Sequence, residues 1–179
     1  KRQKFDFAVA YPDPDSIPVS ELEDSLRLAL KEEGRDLAVY PHPQGYPPLR
    51  EYVSHKLQQQ RGINVSEDKI IIADGSSQPI HMVIESLLNP GDVVITEEYV
   101  YSGTLNTLRR FGADVRGVSC DDDGMDTDML EGTIELAISQ GKHPKLIYSI
   151  PTFQNPQGWT MSLKRRKQLI NIAQTYGIP

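Results

Sequence analysis

Cysteine is scarce in this sequence of 179 residues, while long hydrophobic runs and a surplus of basic residues are missing. The one cysteine, Cys120, cannot form an intramolecular disulfide, which indicates a reducing, cytoplasmic location. No apolar stretch approaches the roughly 20 residues that a membrane helix needs, so no membrane partner is expected. The net charge is −6, and Lys and Arg are scattered along the sequence. The sequence therefore shows no basic cluster of the kind that binds nucleic acid or anionic lipid.

Patterns of metal ligands are missing as well. The four histidines are dispersed and match no metal-binding spacing. The acidic stretch CDDDGMD at 120–126 does not match a calcium loop and is interpreted as a solvated turn. We therefore predict no metal site. The basic run KRRK at 164–167 opens a predicted helix and is expected to face water.

The composition, with 38% hydrophobic and 25% charged residues, is typical of a folded domain. Prolines make residues 1–18 an extended arm, and an amphipathic helix is predicted from residue 19 to Gly34. The proline-rich bridge YPHPQGYPPL leads into a second helix that ends at Gly62. We expect residues 1–47 to form an arm, helix and bridge, and residues 48–179 to form the first part of a larger domain.

Short apolar strands alternate with helices in the rest of the chain. Strands are predicted at 69–73, 92–96, 113–118 and 145–150, and helices at 77–88, 101–111, 127–139 and 162–176. This alternation predicts an α/β fold with a largely parallel sheet. In such sheets ligands bind beyond the carboxyl ends of the strands, often at helix N-termini.

The first predicted strand leads into DGSSQPI. Gly75 allows close backbone approach, and Ser76 and Ser77 open a helix whose free N–H groups and hydroxyls suit a phosphate. Ordinary N-capping by serine is the alternative.

The second strand ends in EEYVYSGTL, which places Tyr101 at a helix start, where its ring can lie over a planar ligand. A core or interface tyrosine is the alternative.

The last strand ends in PTFQNPQGWT, in which two prolines and Gly158 restrict the backbone around Asn155. The Asn155 amide can both donate and accept a hydrogen bond, although an Asn-Pro turn that only reverses the chain is equally compatible. Together the three strand ends suit a planar aromatic cofactor with a phosphate arm.

The segments YPHPQGYPPLREYV, ADGSSQPI, EEYVYSGTL and PTFQNPQG, in this order and spacing, resemble the fold-type I enzymes that use pyridoxal phosphate (PLP). The similarity is greatest to class I/II aminotransferases of the aminoadipate and aromatic amino acid group, including the aminotransferase-like half of MocR regulators. It covers the chain from about residue 5 to the end. It implies part of the large PLP-binding domain, preceded by an arm and a helix.

The resemblance also implies roles for single residues. Ser76 and Ser77, with the Gly75 backbone, would bind the cofactor phosphate; Tyr101 would stack on the pyridine ring. Asn155 would donate a hydrogen bond to the phenolic oxygen of the cofactor.

Two further tyrosines have implied roles. Tyr40 would reach the phosphate of the neighbouring subunit, which implies a homodimer with shared active sites. Tyr11 would border the substrate, in the arm, where the family commonly has a smaller apolar residue; Val9 and Ala10 likewise stand in place of two glycines.

The lysines of this chain, such as Lys69, Lys145 and Lys164, match no Schiff-base motif. That lysine is expected beyond Pro179, so no catalytic residue is predicted here and the segment alone is expected to be inactive. The resemblance implies an aminotransferase that moves an amino group from an amino acid to a 2-oxo acid. The alternatives are the sensor domain of a MocR-type transcription regulator, or a PLP-dependent lyase, decarboxylase or oxidase.

Overall fold

The structure is a computed structural model, and it describes residues 11–179. The chain divides into two compact units, Lys1–Ile72 and Ala73–Pro179. Each unit has its own architecture. In the described part of the chain, no helix combines the length and the apolar character needed to cross a membrane.

Within residues 11–72, the first unit contains two α-helices, α1 (Val19–Glu33) and α2 (Pro47–Arg61). Short 3₁₀ turns occur at Pro14–Ser16, Gly34–Ala38 and Glu67–Lys69. Helix α2 ends at Gly62, whose φ of 66° is left-handed and allows its N–H to bond to the Gln58 carbonyl. Both predicted helices are therefore confirmed.

The proline-rich bridge lies against residues 67–72 of the same unit. The Gln44 carbonyl accepts a hydrogen bond from Ile72 N–H at 2.8 Å, and its side-chain Nε2 donates to the Asp68 carbonyl at 2.8 Å. A Cβ added at Gly45 would lie 2.6 Å from Ile72 Cβ, so glycine is required for this approach. Arg50, which is buried, donates to the Gln44 side chain and to the Glu67 carbonyl.

The predicted strand at 69–73 is wrong. Residues 67–69 form a 3₁₀ turn and residues 70–73 have no regular secondary structure. A strand needs a neighbouring strand to bond its N–H and C=O groups. Within residues 11–179 this segment pairs with no strand, and Ile72 bonds to the bridge instead.

The second unit is an α/β structure with a central parallel sheet. Its elements follow in the order α3 (Ser77–Leu87), β1 (Val93–Glu97), α4 (Ser102–Arg110), β2 (Asp114–Val118), β3 (Cys120–Asp121), β4 (Gly124–Met125), α5 (Thr127–Ser139), β5 (Leu146–Tyr148) and α6 (Leu163–Tyr176). The sheet order is β2-β1-β5, and both pairings are parallel. The four helices predicted here are confirmed, with ends within about one residue.

Strand β1 lies at the centre of the sheet, and all five of its residues are buried. Successive side chains of a strand point to opposite faces of the sheet. Val93 and Ile95 pack in a cluster with α5 and α6, whereas Val94 packs in a cluster with α3 and α4. The unit therefore has three layers, with helices on both faces of the sheet.

The last predicted strand, 145–150, is shorter than expected, since β5 covers Leu146–Tyr148. Beyond it, Ile150 N–H donates to the Glu97 carboxylate at 2.8 Å instead of to a neighbouring strand. A side-chain acceptor thus ends the ladder two residues early.

Candidate functional site

The carboxyl ends of β1 and β5 lie side by side, because the two strands are parallel neighbours with Thr96 opposite Tyr148. The loop after β1 leads to Tyr101 and the loop after β5 leads to Asn155. Two of the three predicted site segments therefore start at the same edge of the sheet.

A cavity of about 270 Å³ lies between α3, α4 and β5. It is lined by residues of all three elements, among them Ile80, Leu108 and Tyr148, and by none of the predicted site residues. Thr104 Oγ1 donates to the Tyr148 hydroxyl at 3.0 Å across this region. The loops that carry Tyr101 and Asn155 are also bonded to each other, since Gln154 Nε2 donates to the Tyr99 carbonyl at 2.6 Å.

The start of α3 carries Gly75, Ser76 and Ser77. Gly75 has a φ of 71°, the left-handed region that favours glycine. Ser76 is the residue that precedes the helix, and its side chain makes no capping bond. Instead, the Gln78 side-chain oxygen accepts from Asp74 N–H at 2.8 Å. Both serine side chains are exposed and form no hydrogen bond within the described residues.

Tyr101 precedes the first residue of α4 and is 40% exposed. Its ring lies against the backbone of Gly103, where an added Cβ would come within 2.5 Å of Tyr101 Cε1. The Tyr101 side chain is therefore neither part of the buried core nor fully exposed to solvent. The glycine was not identified from the sequence, although the spacing Tyr-x-Gly at a helix start is the signal that marks it.

Asn155 is exposed and lies in a tight turn, and its peptide bond to Pro156 is cis. The turn is closed by its main chain, since Gly158 N–H donates to the Gln154 carbonyl at 2.6 Å and Gln154 N–H donates to the Trp159 carbonyl at 2.9 Å. Gly158 has a φ of 81°, as the predicted role of glycine requires. These hydrogen bonds constrain the backbone of the turn that carries the Asn155 side chain.

A buried carboxylate that was not identified from the sequence lies directly beneath this turn. Glu97, the last residue of β1, is fully buried. Its Oε1 accepts from Ser149 Oγ at 2.6 Å and from Ile150 N–H at 2.8 Å, and its Oε2 accepts from Gln154 Nε2 at 2.8 Å. Acceptance of three donors is the pattern of an ionised carboxylate. No sequence signal distinguishes Glu97 from its exposed neighbour Glu98.

One arginine of α6 contacts the loop after β5 and a second contacts the β3–β4 hairpin, so the prediction that the KRRK run faces water is wrong for these two. Arg166 Nη2 donates to the Pro151 carbonyl at 2.5 Å and to Thr152 Oγ1 at 2.8 Å, and its Nε donates to the Met161 carbonyl at 2.9 Å. Arg165 donates to the Met125 carbonyl at 2.6 Å. Both guanidinium groups thus donate to backbone oxygens outside their own helix.

The acidic stretch forms the β3–β4 hairpin, and the residues at its tip are exposed, as expected for a solvated turn. Asp121 pairs with Arg165 at 2.9 Å, which lowers the pKa of the Asp121 carboxyl. Burial, followed by the charge of Glu97, raises the pKa of the Cys120 thiol to about 11. In the described part of the chain, no cluster of His, Cys, Asp and Glu is suited to a metal ion.

The two remaining predicted site residues belong to the first unit. Tyr40 is 98% exposed and Tyr11 is 55% exposed. Val9 and Ala10 lie outside the described residues. The roles of all four stay predictions.

The family model for class I and II aminotransferases matches residues 8–179. The chain belongs to this family. The fold is accordingly part of the fold-type I aminotransferase fold, and the resemblance derived from the motifs is confirmed. Members of this family use PLP.

Two curated aminotransferases illustrate the similarity. Aromatic-amino-acid aminotransferase 1 of Thermococcus litoralis is 31% identical over 92% of this chain and 40% of its own length. The 2-aminoadipate transaminase of Thermus thermophilus is 30% identical over 96% of this chain and 41% of its own length. The chain thus spans about two fifths of the length of these relatives. A regulator, the uncharacterized HTH-type protein YdcR of Escherichia coli, is 29% identical over 96% of this chain and 36% of its own length.

Solved structures agree with this assignment. An archaeal alanine:glyoxylate aminotransferase superposes with a TM-score of 0.87 at 40% identity, over 93% of this chain and 41% of that protein. The kynurenine aminotransferase of Pyrococcus horikoshii, solved in complex with PMP, has a TM-score of 0.85 at 34% identity, over the same two shares.

Proposed function

We propose that these residues belong to a PLP-dependent aminotransferase that moves an amino group from an amino acid to a 2-oxo acid. Residues 48–179 are the first part of its cofactor-binding domain, and residues 1–47 are the arm, helix and bridge that precede it. One observation carries the proposal: the loops that lead to Tyr101 and Asn155 start at neighbouring strand ends, at the carboxyl edge of the sheet. This is the location in which α/β folds bind ligands.

The start of α3 fits the phosphate group of the cofactor. Its two serine hydroxyls are exposed and make no hydrogen bond within residues 11–179. A helix N-terminus also carries about half a positive charge. Ser76 and Ser77 donate their hydroxyls to the phosphate, and Gly75 allows the backbone to approach it.

The loops after β1 and β5 fit the pyridine ring. The ring of Tyr101, held against Gly103, stacks on one face of the cofactor. Asn155 donates a hydrogen bond from its amide to the phenolic oxygen of the cofactor. When bound, PLP supplies an electron sink for the negative charge that develops when a substrate loses its α-proton.

The proposal extends to the arm, the bridge and the assembly. Tyr40 reaches the cofactor phosphate of a neighbouring subunit, so the enzyme is a homodimer with shared active sites. Tyr11 borders the substrate. The enzyme is cytoplasmic, a location that the single cysteine of these 179 residues supports.

The full-length protein provides the test. After purification it is expected to be yellow from bound PLP and to form 2-oxo acids when a panel of amino acids is supplied with an acceptor 2-oxo acid. Product analysis separates the reactions, because a decarboxylase releases CO₂ and an oxidase consumes O₂. A colourless protein that takes up no PLP would refute the cofactor assignment.

The phosphate site predicts a specific loss. The double change Ser76→Ala and Ser77→Ala removes two hydroxyl donors to an anion, each worth about 1.5–3 kcal/mol, so the affinity for PLP falls about 100-fold or more. Titration of the cofactor-free protein with PLP, followed by absorbance, measures this change. Ser86→Ala near the end of the same helix is the control, because its hydroxyl donates only to the Met82 carbonyl. Equal PLP affinity in the double variant and this control would exclude the phosphate site.

A second candidate is the aminotransferase-like sensor half of a MocR-type transcription regulator. The similarity to the regulator YdcR over 96% of this chain supports this second candidate. A helix-turn-helix sequence upstream of Lys1 in the full gene, together with sequence-specific DNA binding by the full-length protein, would decide for the regulator. Transamination without DNA binding would decide for the enzyme.

A further inference from the structure

Glu97 is a buried charge to which the proposed reaction assigns no role. An ion in the protein interior is costly unless it is paired or hydrogen-bonded. In the described part of the chain no Lys or Arg forms an ion pair with Glu97. Its compensation comes from neutral donors, and all three of them belong to residues 149–154. The charge therefore attaches the loop after β5 to the end of β1.

Gln154 is the centre of this attachment. Its Nε2 donates both to Glu97 Oε2 at 2.8 Å and to the Tyr99 carbonyl at 2.6 Å. Its Oε1 accepts from Gln157 N–H at 2.7 Å. A reversed amide would place Oε1 against two acceptors and Nε2 against a donor, so only one orientation fits. The side chain is 2% exposed and has no alternative partner in water.

The consequence concerns Tyr101 and Asn155. Tyr99 lies two residues before Tyr101, and Gln154 directly precedes Asn155. One buried amide thus fixes the loop of the stacking ring and the turn of the ring-binding amide to each other. The main chain of Gln154 also closes the turn through Gly158.

We propose that Glu97 and Gln154 are positioning residues that hold Asn155 at the distance and angle needed to bond the cofactor's phenolic oxygen. This inference rests on the proposed function and adds to it the residues that orient its ring-binding amide. Neither residue touches the cofactor. Both act through Asn155.

The charge of Glu97 is necessary for this role. In Glu97→Gln the new NH₂ group would face either Gln154 Nε2 or the two donors at the other oxygen. In both orientations a donor meets a donor. Glu97→Gln is therefore expected to disturb the turn although it keeps the size of the side chain.

The test is a double-mutant cycle in the full-length protein, made of Asn155→Ala, Gln154→Met and the combination of both. The first measurement is the dissociation constant of PLP for the cofactor-free protein. The second is the pH midpoint of the visible absorption change of bound PLP. A donor to the phenolic oxygen stabilises its negative form, so loss of that donor raises the midpoint.

We expect Asn155→Ala to raise the midpoint by about one pH unit and to weaken PLP binding about 10-fold. Gln154→Met is expected to change both values in the same direction by at least about half as much. Because Gln154 acts through Asn155, the double variant should match Asn155→Ala alone. Glu97→Gln should resemble Gln154→Met; if it does not fold, Gln154→Met carries the test.

Leu88→Ala is the control for a general loss of stability. Leu88 is buried with Ile84, Val94 and Leu108 in the cluster on the α3 and α4 face of the sheet, and this cluster contains no residue of the turn. This variant should lower the melting temperature and leave the pH midpoint unchanged.

The outcomes separate the two proposals. A midpoint that Asn155→Ala changes and Gln154→Met does not, or effects that simply add in the double variant, would overturn the positioning role alone. If Asn155→Ala changed neither the pH midpoint nor the dissociation constant of PLP, the role of Asn155 in the proposed site would be overturned, and the positioning role with it.

Discussion

Gly103 determines how closely the ring of Tyr101 approaches α4. A Cβ at this position would lie 2.5 Å from Cε1 and 2.8 Å from Cζ of that ring. Glycine in a helix interior costs about 1 kcal/mol relative to alanine. Because residue 103 has no Cβ, the Tyr101 ring can approach the backbone of α4 this closely.

Gly103→Ala is expected to displace the Tyr101 ring and to weaken PLP binding about 5- to 10-fold, the scale of one stacking interaction of about 1 kcal/mol. The gain in helix propensity is offset by the steric conflict, so the free energy of unfolding should not increase. PLP titration and urea denaturation measure the two quantities.

Gly132→Ala in α5 is the matched control. No heavy atom lies within 4 Å of a Cβ added there. This variant should gain about 0.5–1 kcal/mol of stability and bind PLP unchanged. Equal PLP affinity in the Gly103→Ala and Gly132→Ala variants would show that the contact between Gly103 and Tyr101 does not contribute to cofactor binding.

At the scale of elements, α6 holds the turn that follows β5. Arg166 reaches from the first turn of α6 to the carbonyls of Pro151 and Met161 and to Thr152 Oγ1. The Met161 N–H donates to the Pro151 carbonyl at 2.9 Å and joins the two sides of the same turn. The planar fork of one guanidinium satisfies oxygens that a single ammonium group cannot reach together.

Arg166→Lys should therefore lower the free energy of unfolding by about 1–3 kcal/mol, because a lysine ammonium cannot replace all three hydrogen bonds that Arg166 makes. Urea denaturation of the full-length protein measures it. Lys164→Ala, at an exposed position of the same helix, should change stability by no more than about 0.5 kcal/mol. If Arg166→Lys lowered the free energy of unfolding no more than this control does, the guanidinium would not hold the turn.

At the scale of the whole molecule, the proposed homodimer predicts complementation between two defective variants. Tyr40→Phe removes the hydroxyl that reaches the neighbouring phosphate, and Asn155→Ala removes the ring-binding amide. In a mixed dimer, one site receives both altered residues and the other receives neither. After equal mixing and subunit exchange, about a quarter of all sites should be intact.

Transaminase activity that rises above the mean of the two separate variants would support shared sites. The control mixes wild-type protein with Asn155→Ala, in which exchange creates no new intact site. Activity equal to the mean of the variants, in a sample where mass spectrometry verifies mixed dimers, would contradict the role of Tyr40.

The sequence by itself determined the helices, the two strands β1 and β2, and the family. Each helix follows from local periodicity and from end signals such as Gly62, and these depend on residues that are close in the chain. The motifs around Ser76, Tyr101 and Asn155 could likewise be found in the sequence, because each occupies a few consecutive residues.

Only the tertiary structure decided which polar groups meet. Glu97 and Gln154 are 57 residues apart, and no local pattern marks either as buried. The apolar run at 69–73 looked like a strand, yet a strand exists only where a second one pairs with it, and none in the described chain does. Arg166 looked solvent-facing because its neighbours in sequence are charged, whereas its partners are backbone oxygens of a distant turn. Hydrogen bonds between segments remote in sequence are set by packing, and packing is a property of the folded chain.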